Sequence, residues 1–182
     1  LPGTRRFRGV IEYRRPDDLY VVGRHMPLNF KEFELVSSGN EFILDFRKED
    51  QTFYYVEGAR FEGVPFSVSP SLIAREMFFP ERWSDVGRRE ARMTAYDPAT
   101  GEATFAVGGR RAPRRRVTVV GPPWVVYMSE RLDPDTGETL AETTRTDYRM
   151  VDGVRLPGVV DTRFPAQETR MTLTMRSMEP NT

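Results

Sequence analysis

The chain has 182 residues, of which 38% are apolar and 30% charged, with 27 basic residues balancing 27 acidic ones and no cysteine. One domain of that length buries roughly two thirds of its unfolded surface. Zero net charge gives no sign of a nucleic-acid partner, the missing thiols exclude disulfides and thiolate metal sites, and no apolar run approaches the ~20 residues that cross a bilayer.

Arg6 to Tyr13 alternates at period two, with Phe7, Gly9, Ile11 and Tyr13 on one face and Arg6, Arg8, Val10 and Glu12 on the other, which predicts a strand. Pro16 in Arg15-Pro16-Asp17-Asp18 removes a ladder donor and breaks it. Leu19 to Met26 returns as a second strand, and Pro27 and Asn29 separate it from the stretch Phe30 to Val56. There Phe33 and Leu35 share a face opposite Glu32 and Glu34. The turn Ser37-Ser38-Gly39-Asn40 leads into an arm that places Phe42, Leu44 and Phe46 together, and Phe53 and Tyr55 extend the pattern after a polar break.

From Gly58 to Ser69 glycine and proline predict a loop. Ser69 before Pro70 is a capping hydroxyl followed by a favourable first helical residue, so a short helix is expected, carrying Leu72, Ile73, Met77, Phe78 and Phe79 and ended by Pro80. A helix so apolar and short has to bury itself against a sheet. An irregular stretch to Glu90 precedes a meander: Met93 to Tyr96, the turn Asp97 to Gly101, Glu102 to Val107, Arg115 to Val120, and Trp124 to Leu132 with Trp124, Val126 and Met128 on one side. The turn Asp133 to Gly137, Leu140 to Val151, the hairpin signal Asp152-Gly153, Val154 to Phe164 and Thr169 to Met178 complete it, with Met171, Leu173 and Met175 facing one way. Roughly ten antiparallel strands and one apolar helix predict a single mainly-β domain over residues 1–182, a strongly curved sheet or half-barrel with the helix on its concave face.

Signs of catalysis are sparse. His25 is the sole histidine, so a multi-histidine metal site is excluded; a surface or packed role competes with a Ser-His-Asp arrangement for which no Gly-x-Ser-x-Gly elbow is present. Asp133-Pro134-Asp135-Thr136-Gly137 resembles the start of a calcium loop, but Thr144 stands where a bidentate glutamate is needed, and a hairpin turn is expected instead. No phosphate loop and no carboxylate pair suited to acid–base work is evident. A non-enzyme without metal or cofactor is expected. Arg110, Arg111, Arg114, Arg115 and Arg116 form the one basic cluster. It reads either as a solvated edge strand guarded against edge-to-edge pairing or as a contact for anionic headgroups or an acidic partner.

The apolar inventory holds 12 Phe, 7 Tyr, 2 Trp and 8 Met. On the concave side of a curved sheet such side chains either line a cavity for flexible apolar ligands or fill a small core. The chain opens at Leu1 with neither initiator methionine nor signal-peptide regions, so a processed or trimmed product is expected.

In order along the chain, Phe7-x-Gly9, Arg15-Pro16-x-x-Leu19, Phe33-Glu34-Leu35-Val36-Ser37-Ser38-Gly39-Asn40-Glu41-Phe42 and Phe53-Tyr54-Tyr55 resemble the lipoprotein carrier and receptor superfamily, LolA/LolB-like. Tyr148-x-x-Val151-Asp152-Gly153-Val154-x-Leu156-Pro157 resembles the late hairpin of its relatives. The resemblance implies a half-barrel closed by helices around a cavity for acyl chains, with Ser71 to Phe79 as lid or plug. The family's opening helix and first strand are then missing or lie upstream of Leu1. It implies Phe33, Leu35, Phe42, Leu44, Phe46, Leu72, Ile73, Met77, Trp124, Met171 and Met175 as lining residues, Arg15 as a rim and gating residue, and a periplasmic or outer-envelope location. The partner so implied is a lipid or lipoprotein acyl chain, with peripheral or lipid-anchored membrane association. The alternative is an accessory subunit that docks the same scaffold onto a membrane-associated complex through the arginine cluster or proline-rich loops.

Overall fold

The computed structural model describes residues 6–14, 18–26, 28–38, 41–47, 50–56, 76–77, 91–108 and 113–179. The chain divides into two compact units, Leu1–Ser71 and Leu72–Thr182.

In the first unit β1 (Phe7–Arg14), β2 (Asp18–His25), β3 (Lys31–Ser38), β4 (Glu41–Phe46) and β5 (Gln51–Val56) form a five-stranded antiparallel sheet in sequence order. Strict alternation fixes its register, because a one-residue slip would turn every ring to the other side. Ile11, Val21, Leu35, Leu44 and Phe53 make one cross-strand row. Leu19, Ser37 and Phe42 make the next on the same face. Phe42 and Leu44 are each 2% exposed, and burial of side chains this size stabilises by about 1.5–3 kcal/mol apiece. Gly23 sits under the Phe33 ring: a Cβ there would come within 2.1 Å of it. The glycine is what lets the ring lie flat on the sheet. Between β2 and β3 a bulge shifts the register at Gly23/Arg24, and Asn29 takes the left-handed conformation at φ 56° in the connecting turn.

The second unit is a meander of β6 (Ala91–Asp97), β7 (Glu102–Gly108), β8 (Pro113–Val120), β9 (Val125–Leu132), β10 (Thr139–Val151), β11 (Val154–Phe164) and β12 (Thr169–Thr174), each paired with its chain neighbour in one antiparallel sheet. Its turns follow from local chemistry. Asp97 Oδ1 accepts from the Ala99 amide at 2.9 Å, and Asp133 Oδ1 accepts from the Asp135 and Thr136 amides at 2.8 and 2.9 Å. Both acids are consumed in closing hairpins, as the failed calcium-loop spacing predicts. Asp152 at φ 46° and Gly153 at φ 80° give the two left-handed residues of the β10–β11 hairpin. Ala103, Val107, Val117 and Val119 pack together on one face. On that face Thr143 and Thr162, both fully buried, bond hydroxyl to hydroxyl at 3.0 Å.

Two expectations are corrected. The described strands number twelve, not roughly ten, and form two separately hydrogen-bonded sheets rather than one curved sheet. Alternation specifies which face a residue takes but carries no term for where one sheet ends, since that depends on edge pairing between segments distant in sequence. The short helix is also not borne out as an element: of the span 69–79 only Glu76 and Met77 are described, both in helical conformation, and no helix stands among the described elements. A segment of that length lies below the ~12–15 residues at which a helix holds by itself. No helix among the described residues is long and apolar enough to cross a membrane.

Candidate functional site

The first unit's apolar face carries a line of rings crossing the sheet. Phe7 meets Phe33 edge-on at 5.2 Å and 89°, Phe33 meets Phe46 at 6.2 Å and 51°, and Phe46 meets Phe53 at 6.1 Å and 83°. Such tilted pairs add about 0.5–1.5 kcal/mol each beyond their burial. Burial is graded along this face: Phe42 and Leu44 are closed off, Phe46 is 9% exposed, Phe33 and Phe53 are half-buried, and Phe7 is 42% exposed. Along the line exposure falls from Phe7 at one end to Phe46, and Phe53 at the other end is again half-buried. The opposite face is polar where it is tied together. Lys31 pairs with Glu34, the Tyr20 hydroxyl donates to Glu34 at 2.6 Å, and Arg47 pairs with Asp45 at 2.9 Å. Hydrogen bonds from Lys31 first, and Tyr20 second, hold the Glu34 carboxyl below its usual range. His25 lies flat against Phe30 at 5.1 Å and 5°, and its buried Nδ1 has no hydrogen-bond partner among the described residues.

The second unit holds a buried charge cluster. Glu76 is fully buried, and both its carboxylate oxygens accept from the Arg115 guanidinium, at 3.0 and 3.1 Å. Arg131 lies 3.7 Å from Glu76 Oε1. Arg145, 3% exposed, donates to the Glu76 backbone carbonyl at 2.8 Å and to Ser129 Oγ at 3.0 Å. The three arginines come from adjacent strands β8, β9 and β10, brought to one face because Arg115 pairs with Arg131 and Thr143 with Ser129 in the ladder. Burial pushes the Arg145 guanidinium down from its ordinary value, opposed by Tyr148 and Glu76 nearby. Side chains on three strands thus hold one helical residue by its carboxylate and by its main chain.

The sequence candidates divide accordingly. Phe33, Leu35, Phe42, Leu44 and Phe46 do share one face of the first sheet. Met77 is 5% exposed beside Glu76 in the second unit, and Met171 and Met175 are half-buried in and just past β12. Arg15, Leu72, Ile73, Arg110 and Arg111 lie outside the described residues. Trp124 precedes β9 and is 58% exposed. A register shift at Thr118/Val119 also pairs Val119 with Val126 and Thr118 with Met128, so Val126 and Met128 face opposite ways, contrary to the alternation expected of them.

The described part of the arginine run, Arg114 to Arg116, is not on a sheet edge. β8 is an interior strand of its sheet, Arg114 and Arg116 point outward, and Arg115 points into the buried cluster. Arg116 pairs with Glu130 at 2.8 Å. Sequence reasoning missed Glu76, Arg131 and Arg145 as a set. The one available signal was an arginine at an inward position of each of three successive strands; nothing in the spacing pointed to Glu76. Phe7 and Phe53 were placed on the right face but not counted with the lining.

No family model and no curated protein matches the chain. Two solved structures are similar to it. A DUF1329 family protein from Desulfovibrio piger aligns with TM-score 0.56 at 11% identity, over 92% of this chain and 74% of that one. A putative outer membrane lipoprotein-sorting protein domain from Vibrio parahaemolyticus aligns with TM-score 0.54 at 10% identity, over 96% of this chain and 77% of that one. At such identities the likeness shows the fold alone, one shared with a lipoprotein-sorting protein domain, which is in keeping with the resemblance drawn from the sequence.

Proposed function

We propose that this is a non-catalytic protein of the periplasm or outer cell envelope that binds lipid or lipoprotein acyl chains on the ring-bearing face of its first sheet. The observation that carries the reading is the ring line Phe7, Phe33, Phe46 and Phe53, open at Phe7 and sharing its face with the buried Phe42 and Leu44. An acyl chain laid along it gains about 0.8 kcal/mol for each methylene removed from water, and rings tolerate the varied geometries of a flexible chain. A fold shared with a lipoprotein-sorting domain supports the same class of ligand and the same compartment. Fluorescent fatty acid titrated into delipidated protein tests this. Saturable binding that weakens in Phe33→Ser, a half-buried position, supports the reading; no binding to a folded protein overturns it. An unchanged titration in His25→Ala is expected, since no chemistry is assigned to that residue.

The second reading is an accessory subunit that docks on a membrane-associated complex. Its support is the outer face of the same sheet, where Val36, Ile43 and Tyr54 form a cross-strand row 45%, 44% and 63% exposed. Native mass spectrometry after gentle purification separates the two: co-purifying lipid favours the carrier, and a stoichiometric protein without lipid favours the subunit.

A further inference from the structure

The face of the first sheet opposite the rings has an order of its own. Val36, Ile43 and Tyr54 stand side by side on β3, β4 and β5, all exposed, and Tyr20 continues the strip onto β2. Glu12 ends it at the β1 edge. Val10 and Val56 add exposed apolar surface on either side. A contiguous strip of this kind marks an interaction surface. Among the described side chains its two margins differ in sign. On one side lie Asp18 and Glu41, with the Ser38 hydroxyl donating to Asp18 at 2.7 Å. On the other lie Glu34 and Asp45, and past them Arg8, Arg24, Lys31 and Arg47. That second margin carries four cations against two acids. Arg24 stands directly opposite both Arg8 and Lys31 in the ladder, where like charges disfavour one another and an approaching acid is favoured.

We propose that a second copy of the chain docks on this face, turned end for end about a two-fold axis that runs along the strip. Such a rotation lays apolar strip on apolar strip and brings the acidic margin of each copy towards the basic margin of the other. An axis parallel to the strands would set acid over acid, so charge selects the first arrangement. A face with opposite signs at its two margins is its own complement, which favours a second copy over a foreign partner. The chain's zero net charge leaves no long-range repulsion between copies. Area is sufficient as well. Strands about 4.8 Å apart, with about seven residues at ~3.3 Å each, give the five-stranded face roughly 550 Å². Two such faces cover roughly 1,100 Å², just above the ~1,000 Å² a specific interface needs. The ring face points the other way, so the pairing stands apart from the acyl binding proposed above.

Sedimentation velocity on the full chain, from about 1 µM to about 1 mM, tests this. The expected result is a reversible rise from 21.0 kDa towards twice that mass, with a Kd in the micromolar range suited to a small interface. Ile43→Arg sets two cations face to face near the axis and should weaken the dimer at least about 100-fold. Because Ile43 is exposed, that variant should keep its fold and bind fatty acid as the parent does. Glu41→Arg and Arg47→Glu should each weaken association about tenfold alone, since a two-fold axis counts every change twice. Mixed in equal amounts they should associate like the parent, because one variant has two basic margins and the other two acidic ones. Misfolding does not imitate that recovery. A parent that stays at 21.0 kDa at the highest concentration, or a dimer indifferent to Ile43→Arg, overturns the docking face. Variants that do not associate on mixing overturn the turned arrangement. A monomeric parent that co-purifies with a stoichiometric foreign protein overturns the pairing and returns the face to the accessory-subunit reading. None of these results bears on acyl binding, which the fatty-acid titration decides separately.

Discussion

Replacing Glu76 by Gln keeps the side chain's volume and removes its charge, leaving three arginines on one buried face. Two charge-assisted bonds from Arg115, at 3.0 and 3.1 Å, are weakened directly, and the Arg131 attraction at 3.7 Å is lost. Removing one partner from a buried ion pair costs about 3–5 kcal/mol, because the remaining charge stays buried and uncompensated. The amide oxygen of Gln still accepts one bond from Arg115, which offsets about 1 kcal/mol. A net loss of roughly 2–4 kcal/mol is expected, a large share of the ~5–15 kcal/mol that holds a typical domain. Urea unfolding reads this as a lower midpoint at unchanged slope. Arg115→Gln and the double variant complete a cycle, in which a coupling of at least about 1 kcal/mol is expected for groups in direct contact. A Glu76→Gln variant within about 0.5 kcal/mol of the parent, or strictly additive losses, would refute the claim that this cluster holds the segment to the sheet.

Thr143→Val should cost about 1–3 kcal/mol by leaving the fully buried Thr162 hydroxyl without its 3.0 Å partner, whereas Thr143→Val with Thr162→Val should recover most of that loss in the same unfolding assay. Gly153→Ala, at φ 80° with open space around the added carbon, is expected to lower stability by about 1–2 kcal/mol. Gly101→Ala should cost visibly more, because at φ 68° its Cβ would also meet the Gly121 carbonyl oxygen at 2.2 Å; equal melting temperatures for the two would contradict the packing described. Hydrogen bonds from backbone amides, those of Ala99 and Thr136 foremost, hold the carboxyls of Asp97 and Asp133 below their ordinary value of 3.8. A depressed folded-state value contributes stability above pH 3.8 that is lost as the pH falls further and both acids take up protons. Melting curves of Asp97→Asn with Asp133→Asn should therefore start from a somewhat lower neutral-pH midpoint, since asparagine closes the same turn without the charge, and lose part of the decline below about pH 4.

Period-two alternation in Phe33, Leu35, Phe42, Leu44 and Phe46 was enough to give that strand pair its face, because in a half-buried sheet only one register keeps every ring out of water. The dipeptide Asp152-Gly153 was likewise enough for its hairpin, since few residues tolerate two consecutive left-handed conformations. The turns at Asp97 and Asp133 follow from side chains that bond their own backbone two or three residues on. These are local effects, and sequence carries them.

Where locality ended, the reading failed. Met128 lost the side it was expected to share with Val126 to a single inserted residue in β9, a shift that depends on the partner strand β8. The run of arginines looked like a protected edge, yet β8 lies in the sheet interior, and alternation divides the run so that Arg115 alone of Arg114, Arg115 and Arg116 turns inward. Sequence by itself determined a β-rich chain, its turns and an aromatic face; only the tertiary structure decided that strands group as five and seven and that Glu76 meets Arg115, 39 positions away, and Arg145, 69 positions away. Charges so far apart along a chain meet only when the sheet register and the placement of Glu76 against it are satisfied together, and no local pattern encodes that coincidence.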